Sequence, residues 1–148
     1  MSKSELKISK KNIEDLIAEA LHARNSAYAP YSNYKVGAAV LTKDGHIYSG
    51  ANIENASFPA GICAERSAMV KAILENKLEF TAIAIVGAHA ELTEPTQFAY
   101  PCGVCRQFMA EFFDQNTMVI VAKSKTEYNV YEFEEILPFS FGKSNLEK

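Results

Sequence analysis

The run T-A-I-A-I-V, Thr81 to Val86, constrains the fold more than any other stretch of this chain. A strand with one face in water alternates apolar and polar residues, whereas an uninterrupted apolar run marks a strand covered on both faces. Covering both faces of a sheet takes helices on each side, so the architecture is sought among layered α/β folds. Met118-Val119-Ile120-Val121 reads as a second buried strand of the same kind.

The remaining elements fall around these two. Lys10 to about Ser26 reads as a helix capped by Ser9, with Ile13, Leu16, Ile17, Ala20 and Leu21 at helical spacing. Tyr28 to Ser32 ends it. Val36 to Leu41 and His46 to Ile53 form a hairpin across the turn Lys43-Asp44-Gly45. After a loop from Ala56 to Gly61, Cys63 to Leu74 carries strong helix formers, and Cys63 is expected on its first turn. A second such helix, Cys102 to Phe113, is entered through Pro101 and places Cys102 and Cys105 together on its first turn. Tyr128 to Tyr131 is a weaker strand, Glu132 to Leu137 a short helix, and residues from about 143 a frayed tail.

Five candidate strands and their order predict a three-layer α/β/α sandwich around one five-stranded mixed sheet, with residues 1–148 forming a single domain. Right-handed crossovers would set the Cys63 and Cys102 helices on one face with neighbouring N-termini.

A formal net charge of -3 argues against nucleic acid as a partner, since phosphate binding leans on clustered Lys and Arg. A small neutral ligand suits the chain better. The opening M-S-K-S-E-L-K-I-S-K-K has no apolar run behind it, and no stretch approaches transmembrane length. Three cysteines, an odd number, then suggest a reducing cytoplasm and thiols used as ligands or catalysts.

Read alone, Y-P-C-G-V-C-R-Q (Tyr100 to Gln107) is a redox pair, half a metal site or a helix start. Cys63 changes the balance, because the fold expectation gathers Cys63, Cys102 and Cys105 at neighbouring helix N-termini. Three thiolates suit zinc, and a catalytic zinc site keeps three protein ligands and one open position. There is no fourth cysteine, and His22, His46 and His89 lie at no useful ligand spacing. Glu65, two residues past Cys63, is placed to move a proton at the open position; its ordinary alternative is a first-turn acid facing the helix dipole. Three thiolates also over-neutralise a zinc dication, which calls for a guanidinium. Arg66 and Arg106 are the candidates, with Arg66 nearer to Cys63 and a surface ion pair the plainer role for Arg106.

C-A-E at Cys63, P-C-G-V-C-R-Q at Pro101, V-G-A-A-V at Val36, N-I-E-N-A-S at Asn52, G-I-C-A-E-R-S-A at Gly61 and L-P-F-S-F-G at Leu137 together resemble the small homotetrameric class of zinc-dependent cytidine deaminases. The resemblance spans nearly the whole chain. It implies a cytidine deaminase-like fold, one zinc per chain on Cys63, Cys102 and Cys105, and Glu65 as proton shuttle. Water then attacks C4 of cytosine, ammonia leaves, and uracil remains. Substrates would be cytidine and 2'-deoxycytidine, in pyrimidine salvage. It further implies that Asn52 and Glu54 bind the ribose, that Tyr34 stacks near the base, and that Asn55, Ala56, Phe58 and Ala64 line the nucleoside site. Arg66 would contact the thiolates, and Phe141 would reach the site of a neighbouring subunit. The chain departs from the family habit at Tyr34, Lys35, Phe58 and Tyr100.

Two other readings bear comparison. Deaminases acting on nucleotides or tRNA generally carry H-A-E, and the blasticidin S type lacks this N-x-E-N, so Asn52 and Glu54 favour a nucleoside. A non-enzymatic zinc or thiol-redox protein would give no reason for C-A-E at Cys63, and structural zinc usually takes four ligands.

Overall fold

The computed structural model describes residues 8–148; the first seven lie outside the described residues. The elements run α1 (Lys10–Arg24), β1 (Tyr34–Thr42), β2 (Ile47–Ala51), α2 (Ala64–Leu74), β3 (Phe80–His89), α3 (Gly103–Phe112), β4 (Met118–Ala122), β5 (Tyr128–Glu132) and the short α4 (Phe133–Ile136). The strands form one sheet in the order β2-β1-β3-β4-β5. Only β3 and β4 are parallel neighbours; β1 is antiparallel to both β2 and β3, and β5 is antiparallel to β4. The sheet is therefore mixed and five-stranded, with helices on both faces.

Two apolar cores, one per face, explain the uninterrupted runs. On one side Ile13, Leu16, Ile17 and Ala20 of α1 pack on Ala39, Leu41, Ala82, Ala84, Met118 and Ile120. On the other, Ala68 and Met69 of α2, Cys105 and Met109 of α3, and Phe133 of α4 pack on Ala38, Val40, Ile83, Ile85 and Val119. Alternate residues of β3 thus enter different cores, as the two-residue side-chain period of a strand requires.

The connections β2-α2-β3 and β3-α3-β4 both step in the same direction along the sheet. With the common right-handed sense their helices share a face, and the shared core of α2 and α3 is the result. Ser9 caps α1 by accepting from the Asn12 amide at 3.1 Å. The helix ends at Arg24, two residues before the expected Ser26. Cys63 and Cys102 are N-cap residues of α2 and α3, one position outside the first turn where each was expected. At the C-terminus, Lys143–Asn145 form one 3-10 turn.

Arg24, 5% exposed, holds the end of α1 to the rest of the molecule. Its Nε donates to the Lys35 carbonyl, and its Nη2 lies 2.7–3.1 Å from the carbonyls of Ala88, His89 and Leu92. A guanidinium is buried here entirely on backbone oxygen.

Helix α1 reaches the sheet at Gly37. A Cβ built there would lie 1.9 Å from the Ala20 carbonyl oxygen and 2.7 Å from the Arg24 nitrogen, both backbone atoms that cannot rotate away. Gly37→Ala is accordingly expected to lower stability by about 3 kcal/mol, at the upper end of overpacking costs. Thermal unfolding would read this as a fall in Tm of roughly 10 °C. An unchanged Tm would show that α1 does not sit this close.

Candidate metal centre

The shared face of α2 and α3 brings three sulfurs together. Cys63 and Cys102, as N-caps, point from two adjacent helix entrances, and Cys105 comes from one turn further into α3. The ligand atoms of Cys63, Cys102 and Cys105 all lie within 4.8 Å of one another, with the Cys63 and Cys102 sulfurs 3.9 Å apart. Tetrahedral zinc with sulfur ligands at about 2.3 Å requires sulfur–sulfur separations of roughly 3.8 Å. Donor type, number and spacing therefore fit a zinc ion with one position left open. The sulfurs differ in access: Cys105 is buried, Cys63 half-buried and Cys102 exposed.

Proton sharing within the triad is uneven. A hydrogen bond from the Cys105 thiol holds Cys63 well below the usual thiol range, helped by Arg66 and Cys102. Cys105 is correspondingly pushed up, first by that same bond and then by burial. Two helix N-termini favour negative sulfur at this spot as well. Arg66, on the first turn of α2, places Nη2 3.7 Å from the Cys63 sulfur, while its Nε is buried with no hydrogen-bond partner among the described residues.

Glu65 is 4% exposed, a depth rare for a carboxyl. Burial pushes its pKa up to about 7, against its own backbone amide and with the Cys63 thiolate adding to the rise. A carboxyl so placed is a proton carrier near neutrality.

Beside the triad opens a cavity of about 750 Å3, whose wall includes Asn52, Glu54, Asn55, Phe58, Cys63, Arg66 and Cys102. The Asn52 amide accepts from the Val36 nitrogen at 2.8 Å and donates to the Tyr34 carbonyl at 2.9 Å. One donor and one acceptor site remain for a ligand. The Glu54 carboxylate accepts from the amides of Tyr31 and Ser32 and from the Ser32 hydroxyl. The Ser32 hydroxyl bond, followed by the amide bonds, holds the Glu54 pKa below the usual carboxylate range. Asn55 accepts from the Ser57 amide, and Phe58 is largely exposed on the rim with Tyr31 edge-on to it at 6.1 Å.

Other expected site residues stand elsewhere. Tyr34 lies outside this wall, its ring edge-on to His89 at 5.5 Å. Ala64 is buried in the core of the α2 face and Ala56 is exposed. Phe141 is exposed within its own chain, its carbonyl accepting from Gln107 at 2.9 Å. Among the described residues Arg106 has no ion-pair partner; it donates to the carbonyls of Pro101 and Ile136. Tyr31, Ser32, Ile53, Ile62 and Val104 also line the cavity and were not anticipated. Val104 alone carried a readable signal, sitting between two ligands on one helical turn. Among the described residues no helix is long and apolar enough to cross a membrane.

Similarity to known proteins agrees with this geometry. Residues 10–122 match the family described as the cytidine and deoxycytidylate deaminase zinc-binding region. A cytidine deaminase from Halalkalibacterium halodurans is 44% identical over 126 residues, 85% of this chain and 91% of the relative. One from Sporosarcina psychrophila is 41% identical over 135 residues, covering 91% and 95% of the two chains. Among solved structures, the cytidine deaminase from Burkholderia pseudomallei superposes with a TM-score of 0.75 at 40% identity, over 86% of this chain and 97% of that one. Sequence, fold and the convergence of three sulfurs beside a buried glutamate agree, and the chain belongs to the cytidine deaminase family of enzymes.

Proposed function

We propose that this chain catalyses the zinc-dependent hydrolysis of cytidine and 2'-deoxycytidine to uridine and 2'-deoxyuridine with release of ammonia, as a step of pyrimidine salvage in the cytoplasm. The observation that carries the reading is a buried, protonatable Glu65 on the same helix entrance as a three-sulfur, open-sided cluster. Cys63, Cys102 and Cys105 would hold one zinc. When bound, zinc supplies the Lewis acidity that makes water a nucleophile at neutral pH.

The chain's own residues account for the remaining work. Glu65 takes a proton from the attacking water and delivers it to the departing amine, so one carboxyl serves both halves of the reaction. Arg66 draws charge from the Cys63 sulfur and keeps the cluster from becoming too electron-rich. Asn52 and Glu54 retain unused hydrogen-bonding positions beside the cavity, suited to hydroxyls that both donate and accept. Asn55 and Phe58 close the cavity wall; the roles of Ala56 and Ala64 beside the sugar and of Tyr34 near the base rest on the family resemblance alone, since none of the three lines that wall. Phe141, unoccupied by its own chain, is read as a contribution to a neighbouring copy in a homotetramer, with residues 1–148 acting as one domain.

Metal analysis combined with a spectroscopic assay tests this directly. The purified protein is expected to hold about one zinc per chain and to consume cytidine with stoichiometric ammonia. A zinc-loaded protein that leaves both cytidine and 2'-deoxycytidine untouched would sink the proposal.

A further inference from the structure

We infer that Arg106 is the positioning residue for Cys102, fixing the backbone before that sulfur ligand and tying it to the C-terminal segment; this rests on the reading of the three cysteines as zinc ligands. The need for such a device follows from the chain path. Residues 90–102 contain no helix or strand, so the ligand at the end of that stretch has no ladder of backbone bonds behind it. Cys102 is also the exposed member of the triad and makes no side-chain cap bond to its helix.

Arg106 supplies what is missing from one turn away. Its backbone amide donates to the Cys102 carbonyl at 3.0 Å, and its Nε donates to the Pro101 carbonyl at 2.8 Å. The plane after Cys102 is held by the ordinary backbone bond of α3, which any residue at 106 would make, and the plane before it by the guanidinium itself. With both planes fixed, a single side-chain torsion decides where the sulfur points. The same guanidinium reaches across with Nη1 to the Ile136 carbonyl at 2.6 Å. That carbonyl belongs to the last turn of α4, where helix oxygens lack partners of their own.

The residue type is diagnostic. No carboxylate among the described residues lies within 4.0 Å of Arg106, so its charge is not spent in an ion pair. A planar fork spans two carbonyls from different elements in fixed directions, which an ammonium on a flexible stem does not. Gln107 holds the neighbouring Phe141 carbonyl, giving the C-terminal segment a second, separate tether.

Zinc release to an excess of chromophoric chelator measures the effect without recourse to activity. Arg106→Gln is expected to release zinc about 10–100-fold faster than wild type, the usual cost of removing a residue that orients a ligand. Arg106→Lys should fall between them. Gln107→Ala, which loosens the C-terminal segment but leaves Pro101 held, should release zinc at the wild-type rate. The cobalt-substituted Arg106→Gln protein should show a shifted thiolate-to-metal absorption band. Release at the wild-type rate from Arg106→Gln, or equal acceleration in Gln107→Ala, would overturn the inference. Should Arg106→Gln not fold, a wild-type rate in Arg106→Lys overturns it alone. Wild-type protein that binds no zinc would instead refute the metal reading itself.

Discussion

Glu65→Gln is expected to retain zinc and lose turnover of cytidine by a factor of about 10²–10⁴, the range that acid–base catalysis by one side chain contributes. The substitution preserves size in a site with no room to spare, since Glu65 is 4% exposed. It also keeps hydrogen-bonding capacity while removing the proton that must travel. The fold should tolerate it, because an amide is cheaper to bury than an ionised carboxylate. Metal content and kcat measured on the same preparation separate the two roles. Full activity in Glu65→Gln would remove proton transfer from this residue. Loss of zinc along with activity would make Glu65 a support of the metal and not a shuttle.

The second large effect is expected from Cys105→Ser. Its sulfur is fully buried and lies in the core that joins α2 to α3, out of reach of bulk solvent that could take its place. Zinc bound by thiolates gains about 10–16 kcal/mol in small structural sites. One ligand's share, roughly 3 kcal/mol or more, corresponds to at least about 100-fold weaker binding. Competition with a chelator of known affinity gives the number, and turnover should fall with zinc occupancy. Wild-type affinity in Cys105→Ser would exclude this sulfur from the ligand set. Cys102→Ser should be milder, because the exposed position lets water approach the vacated ligand site.

Much of this was readable because local signals and global packing agree. The uninterrupted apolar run at Thr81–Val86 anticipated a strand between two cores, and β3 does feed alternate residues into each. Ile13, Leu16, Ile17 and Ala20 announced the buried face of α1, and Ser9 its start. The gathering of Cys63, Cys102 and Cys105 followed from crossover handedness once the helices were placed. What escaped was set by distant backbone. Arg106 reads as a surface arginine until the Ile136 carbonyl, 30 residues away, arrives beside it. Ser32 and Glu54 are 22 residues apart and meet only because their loops share the cavity rim. The one-residue shift of Cys63 and Cys102 from first turn to N-cap has a local cause. Both take extended backbone angles, with ψ of 158° and 168°, which no composition rule specifies.

The guanidinium of Arg24 gives one corner of the molecule an uncommon indifference to its medium. Its partners are four carbonyl oxygens, none of which titrates. Among the described residues added salt finds no opposing ionic partner there to screen, in contrast to the exposed Lys11–Asp15 pair on the same helix. Acid acts instead on carboxylates such as Glu54, whose depressed pKa stabilises the Ser32 turn above the ordinary carboxylate range and is lost as pH falls through the lowered value. On acidification, the rim of the cavity therefore yields before the seam that joins α1 to the sheet.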